Sequence, residues 1–334
     1  MRSTRNQQGG DDETSVDRSI LLAASCGPAG AQAGLSIVEY SGMCDASAAV
    51  ALDKDIFIVA SDEDNILRIY HRGEPAATQS IPLDAFLEVD PNHPEADLEG
   101  ATRIGDTIYW ISSHGQNKDG KERPNRHRLF ATTVAIEGGK IKITPSGNPY
   151  RNLRSDLIAA PQLAKFKLDA AAARAPESKD GFNIEGLAAA PDGRLMVGFR
   201  NPLKKGKALI VAIDNPQEVI KGRQAQIGAA AELDLDHRGI RSIEWDEARN
   251  RYLIVAGPYD DDGTFALYTW SGKPGDAAAK VPGIDFGKLN PEAMFFEPGD
   301  PTRAQILSDD GGLKIDGTEC KKFAPDHQHF RARH

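Results

Sequence analysis

The sequence predicts an all-β protein: a β-propeller of five blades, closed by an N-terminal strand and carrying one helical insertion. Three observations predict it. A segment pattern recurs at a period near 50 residues, each recurrence reads as a hairpin, and the first strand of each hairpin is rich in small residues. The segments are 45–64 (DASAAVALDKDIFIVASDED), 97–115 (DLEGATRIGDTIYWISSHG), 183–201 (NIEGLAAAPDGRLMVGFRN), 239–259 (GIRSIEWDEARNRYLIVAGPY) and 290–311 (NPEAMFFEPGDPTRAQILSDDG).

Turn residues divide each segment: Asp53-Lys54-Asp55, Gly105-Asp106, Pro191-Asp192-Gly193, 246–250 and Pro298-Gly299-Asp300. The second strands, 56–59, 108–111, 195–197, 252–255 and 304–307, are mostly β-branched or aromatic. Third strands follow at 66–70, 128–134, 208–213, 265–270 and 329–333, and weaker fourth strands at 78–83, 140–144 and 231–235. Ala48, Gly100, Gly186, Ser242 and Ala293 suit strands that crowd around one axis. The last blade lacks a fourth strand, and residues 35–40 (LSIVEY) would supply it, pairing the two ends of the chain and removing a free edge. Residues 152–176 have helical composition broken at Pro161; read as an insertion, they account for the one long spacing between repeats. Six blades is the alternative count.

Residues 1–33 differ from the rest and read as a flexible arm, with the propeller over 34–334. A short apolar run, 19–25, precedes Ala-Gly-Ala-Gln-Ala, so an export signal is the alternative; the run is short and acidic residues precede it. No stretch approaches the roughly 20 apolar residues a spanning helix needs. Cys26, Cys44 and Cys320 are sparse and odd in number, which argues against a disulfide framework and for small buried thiols at 44 and 320. With 40 Lys+Arg against 49 Asp+Glu, the net charge of -9 argues against general nucleic-acid binding.

Strand-one starts and strand-two ends share one face of a propeller. Aligned on the repeats, Ser47, Glu99, Glu185, Arg241 and Glu292 are equivalent. Three glutamates converging on an axis need a cation, bound protons or Arg241 as partner. A hydrated channel in which each Glu bonds backbone N–H groups is the alternative. Strand-two exits add Asp62-Glu63-Asp64, Ser113-His114, Arg200-Asn201, 260–262 and Asp309-Asp310. Repeated carboxylates on one face suit Ca²⁺ or Mg²⁺, with Glu99, Glu185, Glu292 and Asp309 as expected ligands. The loops 114–128 and 200–207 are basic, so the same mouth suits a small anionic molecule: Arg200 and Arg241 would hold it, and His114 would shuttle a proton.

The segments CDASAAVAL, SDEDN, EADLEGATRIGDTIYWISSHGQNKDGKERPNRHRLFAT, NIEGL and SDDG resemble an uncharacterised bacterial family, the domain of unknown function family 3616. The resemblance runs from about Tyr40 to the C-terminus. That family has no assigned activity and transfers no catalytic residues. At the level of fold, the Glu-Gly-small motifs are similar to those of esterase-like phytase and calcium-dependent lactonase propellers, although the phytase layout of lysines and carboxylates does not map onto this chain. The expectation is a divalent-cation-dependent hydrolase of a small anionic ester or lactone; the alternative is a propeller that binds a ligand or protein without turnover.

Overall fold

The turn residues bend the chain back on itself in each repeat, and the result is five four-stranded antiparallel sheets. The computed structural model describes residues 37–137, 140–260 and 262–334; the expected N-terminal arm lies outside them. Blade one comprises Ala48–Ala51, Ile56–Ala60, Ile66–His71 and Gln79–Pro82. Blade two comprises Leu98–Ile104, Thr107–Ser112, Leu129–Glu137 and Lys140–Tyr150. Blade three comprises Asn183–Ala189, Leu195–Asn201, Lys207–Ile213 and Ile227–Asp234. Blade four comprises Gly239–Asp246, Arg251–Gly257, Ala266–Trp270 and a two-residue edge, Ala279–Lys280. Blade five takes Pro291–Glu297, Asp300–Ser308 and His329–Arg333 from the end of the chain and Ile37–Ser41 from its beginning.

The closing strand pairs antiparallel with the last one, from Ile37 opposite Arg333 to Ser41 opposite His329. Tyr40 fixes it by stacking on Phe330, ring centroids 5.3 Å apart, and by meeting Phe57 of blade one edge-on at 5.1 Å.

Each innermost strand lies against the innermost strands of both neighbouring blades, all the way round. Two glycines show why the first strands are built from small residues. A Cβ on Gly100 would lie 3.0 Å from Cβ of Leu187, and one on Gly186 would lie 2.9 Å from Cγ2 of Ile240. Both neighbours belong to the next blade, so a side chain at either position would force the blades apart.

Five apolar clusters fill the five seams between blades. The cluster between blades two and three extends into the insertion, where the helices Leu153–Ala159 and Leu168–Ala172 flank a 3₁₀ segment, Pro161–Phe166. Leu153, Leu157, Phe166 and Leu168 dock on it, and Pro161 starts the 3₁₀ segment, where its missing N–H does no harm. The cluster between blades four and five is the smallest, with Val255, Leu267, Phe286 and Met294 as its buried members. Among the described residues no helix is long and apolar enough to cross a membrane.

One expectation is overturned. Cys44 and Cys320 are not buried thiols; they form a disulfide, with Cα atoms 6.0 Å apart across a sequence separation of 276 residues. Spacing carried no sign of it, because only closure of the ring brings the start of blade one against the end of blade five. The fourth strand of blade two runs on past its expected end to Tyr150, and the expected start of the closing strand at residue 35 lies outside the described residues.

Candidate functional site

Four of the five equivalent axial positions are β-bulges. Strand pairing jumps from Leu98 to Gly100, from Ile184 to Gly186, from Ile240 to Ser242 and from Pro291 to Ala293. The residue left over each time is Glu99, Glu185, Arg241 or Glu292. A bulge re-aims one side chain without breaking the ladder on either side. Here it does so at the same level of four successive blades, and all four residues line one pit of about 1190 Å³ at the mouth of the ring.

Blade order then sets the electrostatics. Arg241 stands between Glu185 and Glu292 and pairs with both. Its Nε lies 2.9 Å from Oε2 of Glu185, its Nη2 donates to Oε1 of Glu292, and Nη1 is buried with no hydrogen-bond partner among the described residues. Arg200 adds a 2.9 Å bond from Nη1 to Oε1 of Glu185, and the carboxamide of Asn183 donates to that same oxygen at 3.0 Å. The nearby carbonyls of Pro258 and Asp260 accept from Arg200 at 3.3 and 3.2 Å.

Glu99 has Glu185 on one side and the uncharged Ser47 on the other, so no guanidinium reaches it from its ring neighbours. Burial, then Glu185, Asp97 and Asp62, push its carboxyl well above the usual carboxylate range. The same half of the pit holds Asp45, raised to about 9 by burial and then by Asp309 and Glu63. Asp62 is raised well above its ordinary value by burial and then by Asp45 and Asp309, and one of its oxygens is buried without a hydrogen bond. Glu95 is raised to about 8 by burial and then by Asp97, despite its ion pair with Arg126. Glu292 also reaches about 8 by burial, although Arg241 pulls it down.

Two cations serve this acidic half. Arg126 lies 3.0 Å from Asp97 and bonds Glu95. Lys321 reaches Glu63 at 2.6 Å, held over the acids by its neighbour in the disulfide, Cys320.

The carboxylates close enough to share one ion, among the described residues, are Asp45–Asp62–Glu63 and Asp62–Asp97–Glu99, each set with oxygens within 4.8 Å of one another. Of the four ligands expected from sequence, Glu99 belongs to such a set, Glu185 and Glu292 face Arg241, and Asp309 meets Asp45 across the seam of blades five and one. Asp62 is among the strand-two exits and Asp97 begins the second repeat, and neither is among the expected ligands; the signal that could have found them is that blades one and two are neighbours.

His114 does not line the pit. It is fully buried, its Nδ1 lies 2.8 Å from the Ser112 carbonyl, and its ring stacks on His127. Burial, then His127, lowers it to about 3, so it is a neutral packing group in place of the proton shuttle expected. His93 lines the mouth instead. Lys118, Arg123 and Arg126 of the first basic loop line the pit, whereas Lys204, Lys205 and Lys207 of the second do not.

A five-bladed β-propeller with a pit of mixed charge on its axis is the class that fold and site define. The chain belongs to the family described as "Protein of unknown function (DUF3616)", whose model matches residues 45–135 and 137–290. No curated protein matches it in sequence. Similar solved structures include Myxococcus xanthus glutaminyl cyclase, at 11% identity and a TM-score of 0.41 over 81% of this chain and 90% of that one. A putative oxidoreductase (glucose dehydrogenase) from Thermus thermophilus is 12% identical, with a TM-score of 0.41 over 90% and 99%. Virginiamycin B lyase from Staphylococcus aureus is 11% identical, with a TM-score of 0.38 over 90% and 99%.

Proposed function

We propose that the pit takes a divalent cation, Ca²⁺ or Mg²⁺, together with a small anionic ester or lactone, and hydrolyses the latter. The observation that carries this reading is the split of charge across one pit: carboxyl groups without enough counter-charge on the side of blades one and two, and guanidinium groups on the side of blades three and four. Asp45–Asp62–Glu63 or Asp62–Asp97–Glu99 would hold the ion, with Asp62 common to both sets, since hard oxygen donors suit it and neither Asp62 nor Glu99 has an ion pair among the described residues. A bound divalent cation polarises an ester oxygen and lowers the pKa of a coordinated water. Nη1 of Arg241, which has no hydrogen-bond partner among the described residues, would meet the anionic group, with Arg200 beside it. Carboxyl groups with pKa values near 8, at Glu95 and Glu292, exchange protons close to neutral pH and suit a general acid or base.

Binding without turnover is the second reading; the sealing of His114 away from the pit favours it. Calorimetric titration of Ca²⁺ and Mg²⁺ into the wild type, Asp62→Asn and Glu99→Gln tests the ion site: both variants should lose most of the affinity, and equal affinity in all three proteins would remove these residues. A panel of phosphate esters and lactones assayed with and without EDTA then decides turnover. No EDTA-sensitive hydrolysis, with ion binding intact, leaves the binding module.

A further inference from the structure

The far end of the axis carries a second cavity, about 480 Å³, among the hairpin turns opposite the pit. Three residues beyond each bulge, the inner strands present Thr102, Ala188, Glu244 and Phe295, so Glu244 is the one ionisable group at that level. The cavity around it is lined by Trp245, Phe295, Phe296 and Pro298. Among the described residues no cation pairs with Glu244, whose Oε1 accepts one hydrogen bond, from the Trp245 backbone N–H at 3.3 Å. Arg103 also lines the cavity but is engaged elsewhere: Nη1 donates to the Leu52 carbonyl at 2.9 Å, Nε donates to that of Gly105 at 2.7 Å, and Nη2 lies 3.6 Å from Asp106.

A carboxyl group held among aromatic rings without a counter-charge is unfavourable unless something supplies one. Burial alone raises Glu244 to about 8. The rim adds negative charge at Glu247, while Glu297 is paired with Arg303, Nη1 to Oε2 3.6 Å, and the aromatic faces attract cations.

We propose that this cavity binds an organic ammonium ion with a flat apolar body, its N–H groups paired with Glu244 and its ring and charge against Trp245 and Phe296. The site is independent of the pit and of any hydrolysis there.

Tryptophan fluorescence reads it directly, because Trp110 and Trp270 are 0% and 1% exposed and Trp245 is the accessible reporter. The full chain is titrated with 2-phenylethylammonium, and with neutral 2-phenylethanol, at about pH 8.5, where the amine is still charged. The ammonium ion should give a saturable change and bind at least about tenfold more tightly than the alcohol. Glu244→Gln, which keeps the reporter and the shape of the side chain, should bind the ammonium ion at least about tenfold more weakly while melting no lower than the wild type. Asp62→Asn should leave that affinity unchanged. An unsaturable response, equal affinity for amine and alcohol, unaltered binding in Glu244→Gln, or a loss in Asp62→Asn would each overturn the proposal; the last would place the cation in the upper pit.

Discussion

Arg241 and Glu185 are the extra residues of bulges in adjacent blades, and Nε of the one lies 2.9 Å from Oε2 of the other. Glu292, in the next blade on, takes the same guanidinium. One arginine thus neutralises two of the three axial glutamates, and the third, Glu99, is left among acids.

Removing that arginine leaves buried carboxylates unpaired. Arg241→Met should destabilise the chain by about 3–5 kcal/mol in urea unfolding near neutral pH. The loss should be smaller in mild acid, where the glutamates take up protons instead of standing charged. A variant as stable as the wild type would mean that the pairing contributes nothing net.

The raised carboxyl groups make stability depend on pH in a defined direction. Asp45 at about 9 and Glu95 and Glu292 at about 8 hold protons that the unfolded chain releases near pH 4. The native state binds more protons in this window, so stability should fall as pH rises from about 5 to 9. Scanning calorimetry in EDTA should show the fall, and Ca²⁺ should raise the melting temperature more at the alkaline end. A melting temperature that rises over this range would contradict the placement of these acids.

The Cys44–Cys320 bridge ties the first blade to the last, alongside the closing strand. Unfolded protein should expose two more reactive thiols after reduction than before. Cys44→Ser should lower stability by about 2–5 kcal/mol.

The closing strand is held chiefly by Tyr40, which is fully buried, while Ile37 at its start is 53% exposed. Tyr40→Ala should cost about 3–5 kcal/mol by chemical denaturation, as for other large buried rings. Ile37→Ala should change stability by less than about 0.5 kcal/mol. Similar effects at the two positions would mean that the strand is not anchored at the ring stack.

Because the seam of blades four and five has the smallest apolar cluster, and blade four ends in a two-residue edge strand, it should open first. Native-state hydrogen exchange should show the lowest opening free energy for amides of Ala266–Trp270. Earlier exchange in the second strand of blade three, Leu195–Asn201, which is buried throughout, would reverse that order.

The blades were legible because their determinants are local. Strand alternation, turns such as Gly-Asp and Pro-Asp-Gly, and small first strands recur at a period near 50 residues, interrupted by one insertion, and Leu35–Tyr40 had the pattern of a missing edge. The axial residues were legible too, since Glu99, Glu185, Arg241 and Glu292 fall at one position of the repeat. Arg241 is one of the partners the sequence offers the three glutamates, and blade order puts it between Glu185 and Glu292, away from Glu99. Lys204, Lys205 and Lys207 misled because the charge of a loop says nothing about the direction its side chains take.

By itself, then, the amino-acid order determined the repeating blade, how the ring closes and which residues face its axis, all consequences of short-range patterning and repetition, and it favoured five blades over six. Tertiary structure alone decided that Cys44 meets Cys320, that Asp45 meets Asp309, that His114 is sealed in and that Asp62 joins Glu99. Each of those depends on side-chain direction or on the closed seams between blades, where residues far apart in the chain share a low-dielectric space and burial, more than residue type, sets their charge.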